Sequence, residues 1–256
     1  MAERRVENMT ASGPRSAFYA RRGSRRADWW TLLHPPYTIW HLSYVVLGAA
    51  LAPRLSWAML GATVLAFFLA VGLAAHALDE LQGRPLNTRI STAGLLAIAA
   101  CSLAGAVVVG AFAVPYSGPV LLPCIAVGVL LVVGYNLELF GGRLHTDLGF
   151  AAAWGGFPVA VGFLAQAPPL TRPVTAAVGA AVLAAVGLSY AQRLLSTPAR
   201  TIRRRLAGIT AVATLPDGTQ RSVDRAELLA PLEASLKTLS ATVPLLAIAV
   251  LLTHLH

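Results

Sequence analysis

Apolar residues fall along this chain in long, nearly unbroken runs, not in the stripe of a surface helix or the alternation of a half-buried strand. Seven runs, at about 33–52, 56–78, 93–114, 118–138, 147–166, 173–194 and 239–255, approach or exceed the roughly 18 residues that a helix needs to cross a bilayer. Breakers separate them: Pro53, Pro85, the stretch Pro115 to Pro119, Gly141-Gly142 and Pro168-Pro169. In hydrocarbon every backbone N–H and C=O must be paired inside the protein, which leaves helices or a closed barrel. The period-2 alternation of a barrel is absent, so helices are expected. The links are short, and neighbouring helices should run antiparallel in one bundle. The expected fold class is all-α: a polytopic membrane helix bundle with about seven transmembrane helices over 28–256, behind a disordered basic tail at 1–27 with little to bury.

One region breaks this pattern. Ile209 to Leu215, then Pro216-Asp217-Gly218, then Thr219 to Val223 reads as a short β-hairpin. Asp224 with Glu227 three residues on has capping-box spacing. Residues 206–232 are therefore expected to form a small cytoplasmic insert before the last span.

Charge orients the bundle. The chain is 56% hydrophobic and 12% charged, against about 25% charged in soluble domains. Its formal charge is 20 − 11 = +9, almost all arginine; Lys237 is the one lysine. Because the arginines flank apolar runs, they are read as orienting and headgroup-contacting residues, and nucleic acid is not an expected partner. One side receives the tail arginines, Arg84, Arg89, Arg143 and the run from Arg193 to Arg205; the other receives Arg54 and Arg172. The positive-inside rule puts the first set in the cytoplasm with the N-terminus, and the C-terminus outside. An integral protein of a prokaryotic plasma membrane is expected, without a cleaved signal peptide. Cys101 and Cys124 lie within apolar runs and read as small core residues.

Between Trp29 and Pro216 the acidic residues are Asp79, Glu80, Glu138 and Asp147, all at the cytoplasmic ends of spans, with His76 and His145 beside them. Ionisable groups at membrane depth are costly and point to function, although acids at helix ends also serve as anchors, as Asp147 would at a helix N-terminus. His76, Asp79 and Glu80 stand at i, i+3 and i+4, on one helix face. Tyr135-Asn136-Leu-Glu138 leads through Gly141-Gly142 and Arg143 to His145 and Asp147. Both clusters can face one cavity. Asp79, Glu80, Glu138 and Asp147 are the candidate catalytic groups. Arg84, Arg143, Tyr135, Asn136 and His41 are candidate substrate contacts. His76, Asp79, Glu80, Glu138, His145 and Asp147 are candidate ligands of a divalent metal; mixed imidazole and carboxylate suits Fe, Zn or Mn. His34-Pro35-Pro36 opens the first span, with Trp29, Trp30, Tyr37 and Trp40 as an aromatic belt. Gln192, Arg193 and Arg200 to Arg205 make a third polar element; its arginines can hold a phosphate-bearing ligand or simply set topology.

At these motifs the chain resembles the UbiA-type intramembrane prenyltransferase superfamily. His34-Pro-Pro-Tyr-Thr followed by a small-residue span with Gly48 is similar to the family's first helix. His76 to Ser91 resembles the aspartate-rich motif that ends helix 2, with Asp79, Arg84 and Pro85 at matching positions. Tyr135 to Gly162 resembles helix 4, its loop and a Gly-rich helix 5. The likeness covers about residues 32–166 and implies a diverged member. It implies Mg²⁺ held by acids at a cytoplasmic site against a diphosphate, with an isoprenoid or similar lipid as substrate. The pattern also departs from the family: one aspartate and Glu80 stand where two or three aspartates are usual. Gln192-Arg193-Leu-Leu-Ser-Thr-Pro198 occupies the place of the second aspartate-rich motif, and nine spans are usual.

The expected function is that of an enzyme handling an isoprenoid or other lipid at this polar face. The alternatives are a His/carboxylate metal-dependent membrane oxidoreductase or hydrolase, or a non-catalytic lipid-binding subunit. No internal repeat argues for transport.

Overall fold

The computed structural model describes residues 17–21, 23–168, 170–204, 206 and 211–255, and these are mostly helical. A short helix α1 (Arg25–Leu32) is capped by Ser24, whose Oγ accepts from Ala27 N at 3.1 Å. His34 adopts the left-handed conformation (φ 44°) and turns the chain into α2 (Pro35–Ala50), which carries prolines in its first turn where no donor is lost. Then follow α3 (Trp57–Leu81), α4 (Thr92–Ser117), α5 (Leu121–Asn136), α6 (Asp147–Leu164), α7 (Arg172–Arg204), and finally α8 (Arg225–Leu252). Ser56, Ser91 and Thr146 cap α3, α4 and α6 through their hydroxyls. Two helices contain π-type turns, α3 over Phe68–Ala75 and α6 over Ala152–Gly156.

Five helices, α3, α4, α6, α7 and α8, are long and apolar enough to cross a membrane. The runs expected at 33–52 and 118–138 form the 16-residue helices α2 and α5, which rise about 24 Å. Each is shortened by its flanks: His34 and the Leu51–Pro53 turn bound α2, and Gly118 (φ 89°) with Pro119 delays the start of α5. Both nevertheless run between the same two ends of the bundle as the longer helices. At one end His254 Nε2 meets Ala50 O at 2.8 Å, Ser117 Oγ donates to Ala165 O at 2.6 Å, and Leu121 packs with Ala113 and Ala165. At the other, His41 of α2 and Tyr135 of α5 pack around Trp154 and Phe150 of α6.

The hairpin forms where expected: β1 (Ala211–Thr214) pairs antiparallel with β2 (Gln220–Val223), Thr214 opposite Gln220. Asp224 caps α8 by accepting from Glu227 N at 2.8 Å, while the Glu227 carboxylate pairs with Arg221 at 2.5 Å. The last span does not start afresh near 239. It is the continuation of the capped helix, and α7 likewise runs on through Pro198 to Arg204. The two long helices are joined near this end by Arg203, which reaches Glu233 at 2.7 Å, and by Arg225, which donates to Arg203 O.

α6 is the central helix. Of its most apolar window 56% is buried inside the protein, against 17% for α7 and for α8. Large apolar side chains point outward instead, such as Phe112 (74% exposed) and Leu183 (73%), as lipid-facing positions require. α2 lies against both α6 and α8. Its crossing with α6 is made by glycines: a Cβ on Gly48 would overlap the Val159 backbone, and one on Gly162 would overlap the Val45 backbone. Gly155 meets α7 the same way, 2.5 Å from Ala185 O to an added Cβ. Beside this seam Trp40 Nε1 donates to Tyr44 Oη at 2.6 Å, fully buried.

Of the tail expected at 1–27, residues 1–16 and 22 lie outside the described residues. The rest is structured. Arg21 N and Thr31 Oγ1 bond at 2.9 Å, Thr31 Oγ1 donates to Arg21 O, and Trp30 Nε1 donates to Tyr19 O at 3.0 Å.

Candidate functional site

At the end of the bundle that holds the N-termini of α2 and α6 and the C-termini of α3, α5 and α7 there is a cavity of about 650 Å³. The π-type turn in α3 ends immediately before His76, and the turn in α6 contains Trp154; Val71, Ala75 and Trp154 from these segments all line the cavity. Extra residues inserted into an α-helix in this way are uncommon and cluster at functional sites.

Three histidines share one arrangement. His41 Nδ1 lies 2.9 Å from Trp154 O, His76 Nδ1 3.1 Å from Gly72 O, and His145 Nδ1 3.1 Å from Tyr135 O. A carbonyl only accepts, so each Nδ1 carries the proton, and in the neutral ring Nε2 holds a lone pair. All three residues line the cavity. His145 also stacks on Tyr135, with centroids 4.4 Å apart, and stands 4.0 Å from the Glu138 carboxylate. Asp79 and Glu138 bring the carboxylates, and Tyr135 and Asn136 line the same wall.

The predicted residues therefore separate. His41, His76, Asp79, Tyr135, Asn136, Glu138 and His145 meet around one cavity. Glu80 does not face it: its carboxylate is fully buried and accepts from Leu86 N (2.8 Å), Thr88 N (2.8 Å) and Thr88 Oγ1 (2.9 Å). Glu80 thus builds the loop that carries Gln82, Pro85 and Leu86 to the cavity wall. Arg84 serves that loop too, donating to Ile90 O at 2.5 Å and Thr92 Oγ1 at 2.9 Å. Asp147, in the first turn of α6 where a negative charge is favoured, is held by Arg193 Nε at 2.8 Å. Arg143 is exposed and off the cavity. Among the described residues no three His, Cys, Asp or Glu side chains stand where they could hold one metal ion.

Other lining residues stand outside the candidate site set read from sequence, although Gln192, Arg193 and Arg200 to Arg205 form the third polar element of that reading. Tyr19 lines the cavity from the segment before α1, its ring 5.1 Å from that of His34; His34 in turn lies 4.4 Å from His76. α7 contributes Gln192, Arg193, Ser196, Thr197, Arg200, Thr201, Arg203 and Arg204. Ser196, Thr197 and Thr201 are not among the residues read from sequence, and spacing is the signal that could have found the first two: 193, 196, 197, 200, 203 and 204 fall on one face of a helix. Arg193 and Arg203 are neutralised by Asp147 and Glu233; Arg200 and Arg204 have no ion pair among the described residues. Three buried polar atoms of cavity-lining residues, His34 Nδ1, Gln192 Oε1 and Arg203 Nε, have no hydrogen-bond partner among the described residues, and such atoms in a native fold call for an explanation.

An apolar space lies behind part of the cavity wall. Val71 and Trp154 also line an apolar groove of about 90 Å³ between α3, α4, α5 and α6, bounded by Ala70, Gly128, Phe157 and neighbours. A polar chamber and an apolar groove thus share a wall inside a bundle of membrane-type helices. Compared with known proteins, the chain matches no family model, no curated protein and no solved structure.

Proposed function

We propose that this chain is an integral membrane protein of seven spans, a diverged UbiA-like bundle, that handles an isoprenoid or other lipid. The polar end of that lipid sits in the cavity and its apolar portion in the groove. The observation that carries this is the junction at Val71 and Trp154, where the polar chamber and the apolar groove share a wall. An amphiphile is the ligand whose two halves match the two chambers. The reading of seven spans rests on α2 and α5 reaching both ends of the bundle. With the arginine-rich end in the cytoplasm, the cavity opens there and the C-terminus lies outside.

The residues around the polar end suit an enzyme that moves protons. His41, His76 and His145 each have Nδ1 held by a backbone carbonyl, which leaves Nε2 as the accepting nitrogen of the neutral ring, and Asp79 lies one turn from His76. Such a nitrogen can accept a proton from a hydroxyl on a ligand, and the carboxylate can stabilise the imidazolium that results. In the family it resembles, Mg²⁺ supplies charge neutralisation to a diphosphate; the residues described here derive their roles without it.

The test is lipid retention and turnover. Full-length protein purified in mild detergent should carry a co-purifying lipid that is identifiable by mass spectrometry. Ala70→Phe, which fills the groove, should reduce that lipid about tenfold or more with little change in melting temperature. His76→Gln and Asp79→Asn should keep the lipid and lose turnover of supplied prenyl substrates. Equal lipid content in the Ala70→Phe and parent proteins, with no turnover by the parent, would overturn the proposal.

A further inference from the structure

We infer that Arg200 and Arg204, together with the Nδ1 of His34, form a metal-independent subsite for a phosphoryl oxyanion at the α7 wall of the cavity. Three independent features meet there. First, Arg200 and Arg204 stand one turn apart on α7, both line the cavity, and neither has an ion pair among the described residues, whereas the other two cavity arginines are bound to Asp147 and Glu233. Guanidinium groups one turn apart are the arrangement that grips the several oxygens of a phosphoryl group. Second, His34 Nδ1 is shut off from solvent with no hydrogen-bond partner among the described residues, in a residue that lines the same cavity. A phosphoryl oxygen or its hydroxyl would satisfy it in either tautomer. Third, His34 is held by its surroundings. Its backbone is in the left-handed region (φ 44°) ahead of two prolines, and its ring is packed between Tyr19 and His76. A non-glycine residue in that conformation is uncommon, and the packing on both faces fixes where the ring points.

Asp79 and Glu138 also line the cavity, but neither is within ion-pair distance of Arg200 or Arg204. The oxyanion can come from two sources, a lipid headgroup in the bilayer leaflet or free phosphate in solution, and the chemistry that recognises it is the same.

This subsite rests on the lipid-handling reading only for the cavity in which it lies. The experiment uses full-length protein in nanodiscs of neutral phosphatidylcholine with EDTA throughout. One arm titrates inorganic phosphate by calorimetry; the other replaces a fraction of the lipid with phosphatidic acid and measures the lipid that stays bound after transfer to detergent. Binding in at least one arm is expected, weakened about tenfold or more in the Arg200→Gln/Arg204→Gln double variant and severalfold in each single variant and in His34→Asn. Arg143→Gln, exposed and off the cavity, should bind as the parent does and controls for net charge. Binding in the phosphate arm assigns the free ion, and binding in the phosphatidic acid arm alone assigns the headgroup. No binding in either arm, binding that needs added Mg²⁺, or equal binding by parent and single variants overturns the subsite. Oxyanion binding without a retained lipid would keep the subsite and sink the lipid-handling proposal. A retained lipid without oxyanion binding would do the reverse.

Discussion

Glu80→Ala is expected to cost about 3–5 kcal/mol and to release the loop between α3 and α4. The Glu80 carboxylate is fully buried and accepts three hydrogen bonds from Leu86 and Thr88. Alanine leaves those donors with no partner in a space too confined for bulk water. It also leaves unsupported a loop that already holds Arg84 (φ 54°) and Asn87 (φ 55°) in the left-handed region. Glu80→Gln should recover part of the loss, because an amide oxygen still accepts while its NH₂ opposes a donor. Thermal melting in detergent and hydrogen exchange at the Leu86 and Thr88 amides measure both effects. A Glu80→Ala protein that melts within about 2 °C of the parent, with unchanged protection, would show that the carboxylate does not hold the loop. The cavity depends on this result, because Pro85 and Leu86 of the loop form part of its wall.

The second large effect lies at the crossing of α2 and α6. Gly48→Val is expected to destabilise by about 3 kcal/mol or more. An added Cβ at Gly48 would overlap the Val159 carbonyl, which is backbone and cannot rotate away. The helices must then separate, which loosens the reciprocal contact of Gly162 with Val45 and moves His41 away from Trp154 O. Gly61→Val is the comparison: nothing lies within 4 Å of a Cβ there, so it should cost under about 1 kcal/mol. Equal melting temperatures for the two variants would count against close α2–α6 packing as the source of stability.

Much of the architecture was legible locally. Apolar runs give helices because a bilayer leaves the backbone no other partner, and Pro and Gly mark their ends. The hairpin at 211–223 and the Asp224 cap follow from turn and capping chemistry contained within a few residues. Helix length was less legible. α8 continues unbroken from the cap into the last apolar run, although its first half is polar enough to read as a separate element. α2 stops short because His34 leaves the helical region where Pro35 follows.

The site shows the same division more sharply. His76, Asp79 and Glu80 read as one face by spacing, yet Asp79 lines the cavity while the adjacent Glu80 is drawn into the following loop. Neighbouring residues on a helix point about 100° apart, and only the path of the loop decides which of the two meets it. Arg193 takes Asp147 across 46 residues, and His41 takes Trp154 O across 113.

Composition, hydropathy and charge were therefore enough for a helical membrane-type bundle whose polar groups gather at one end, because solvent and backbone physics act on each run separately. Which of those groups share a cavity, and that Arg200, Arg204, His34 and Tyr19 join them, depended on how α2, α3, α5, α6 and α7 approach one another. That approach is set by side-chain volumes at crossings such as Gly48 with Val159, between residues far apart in the chain.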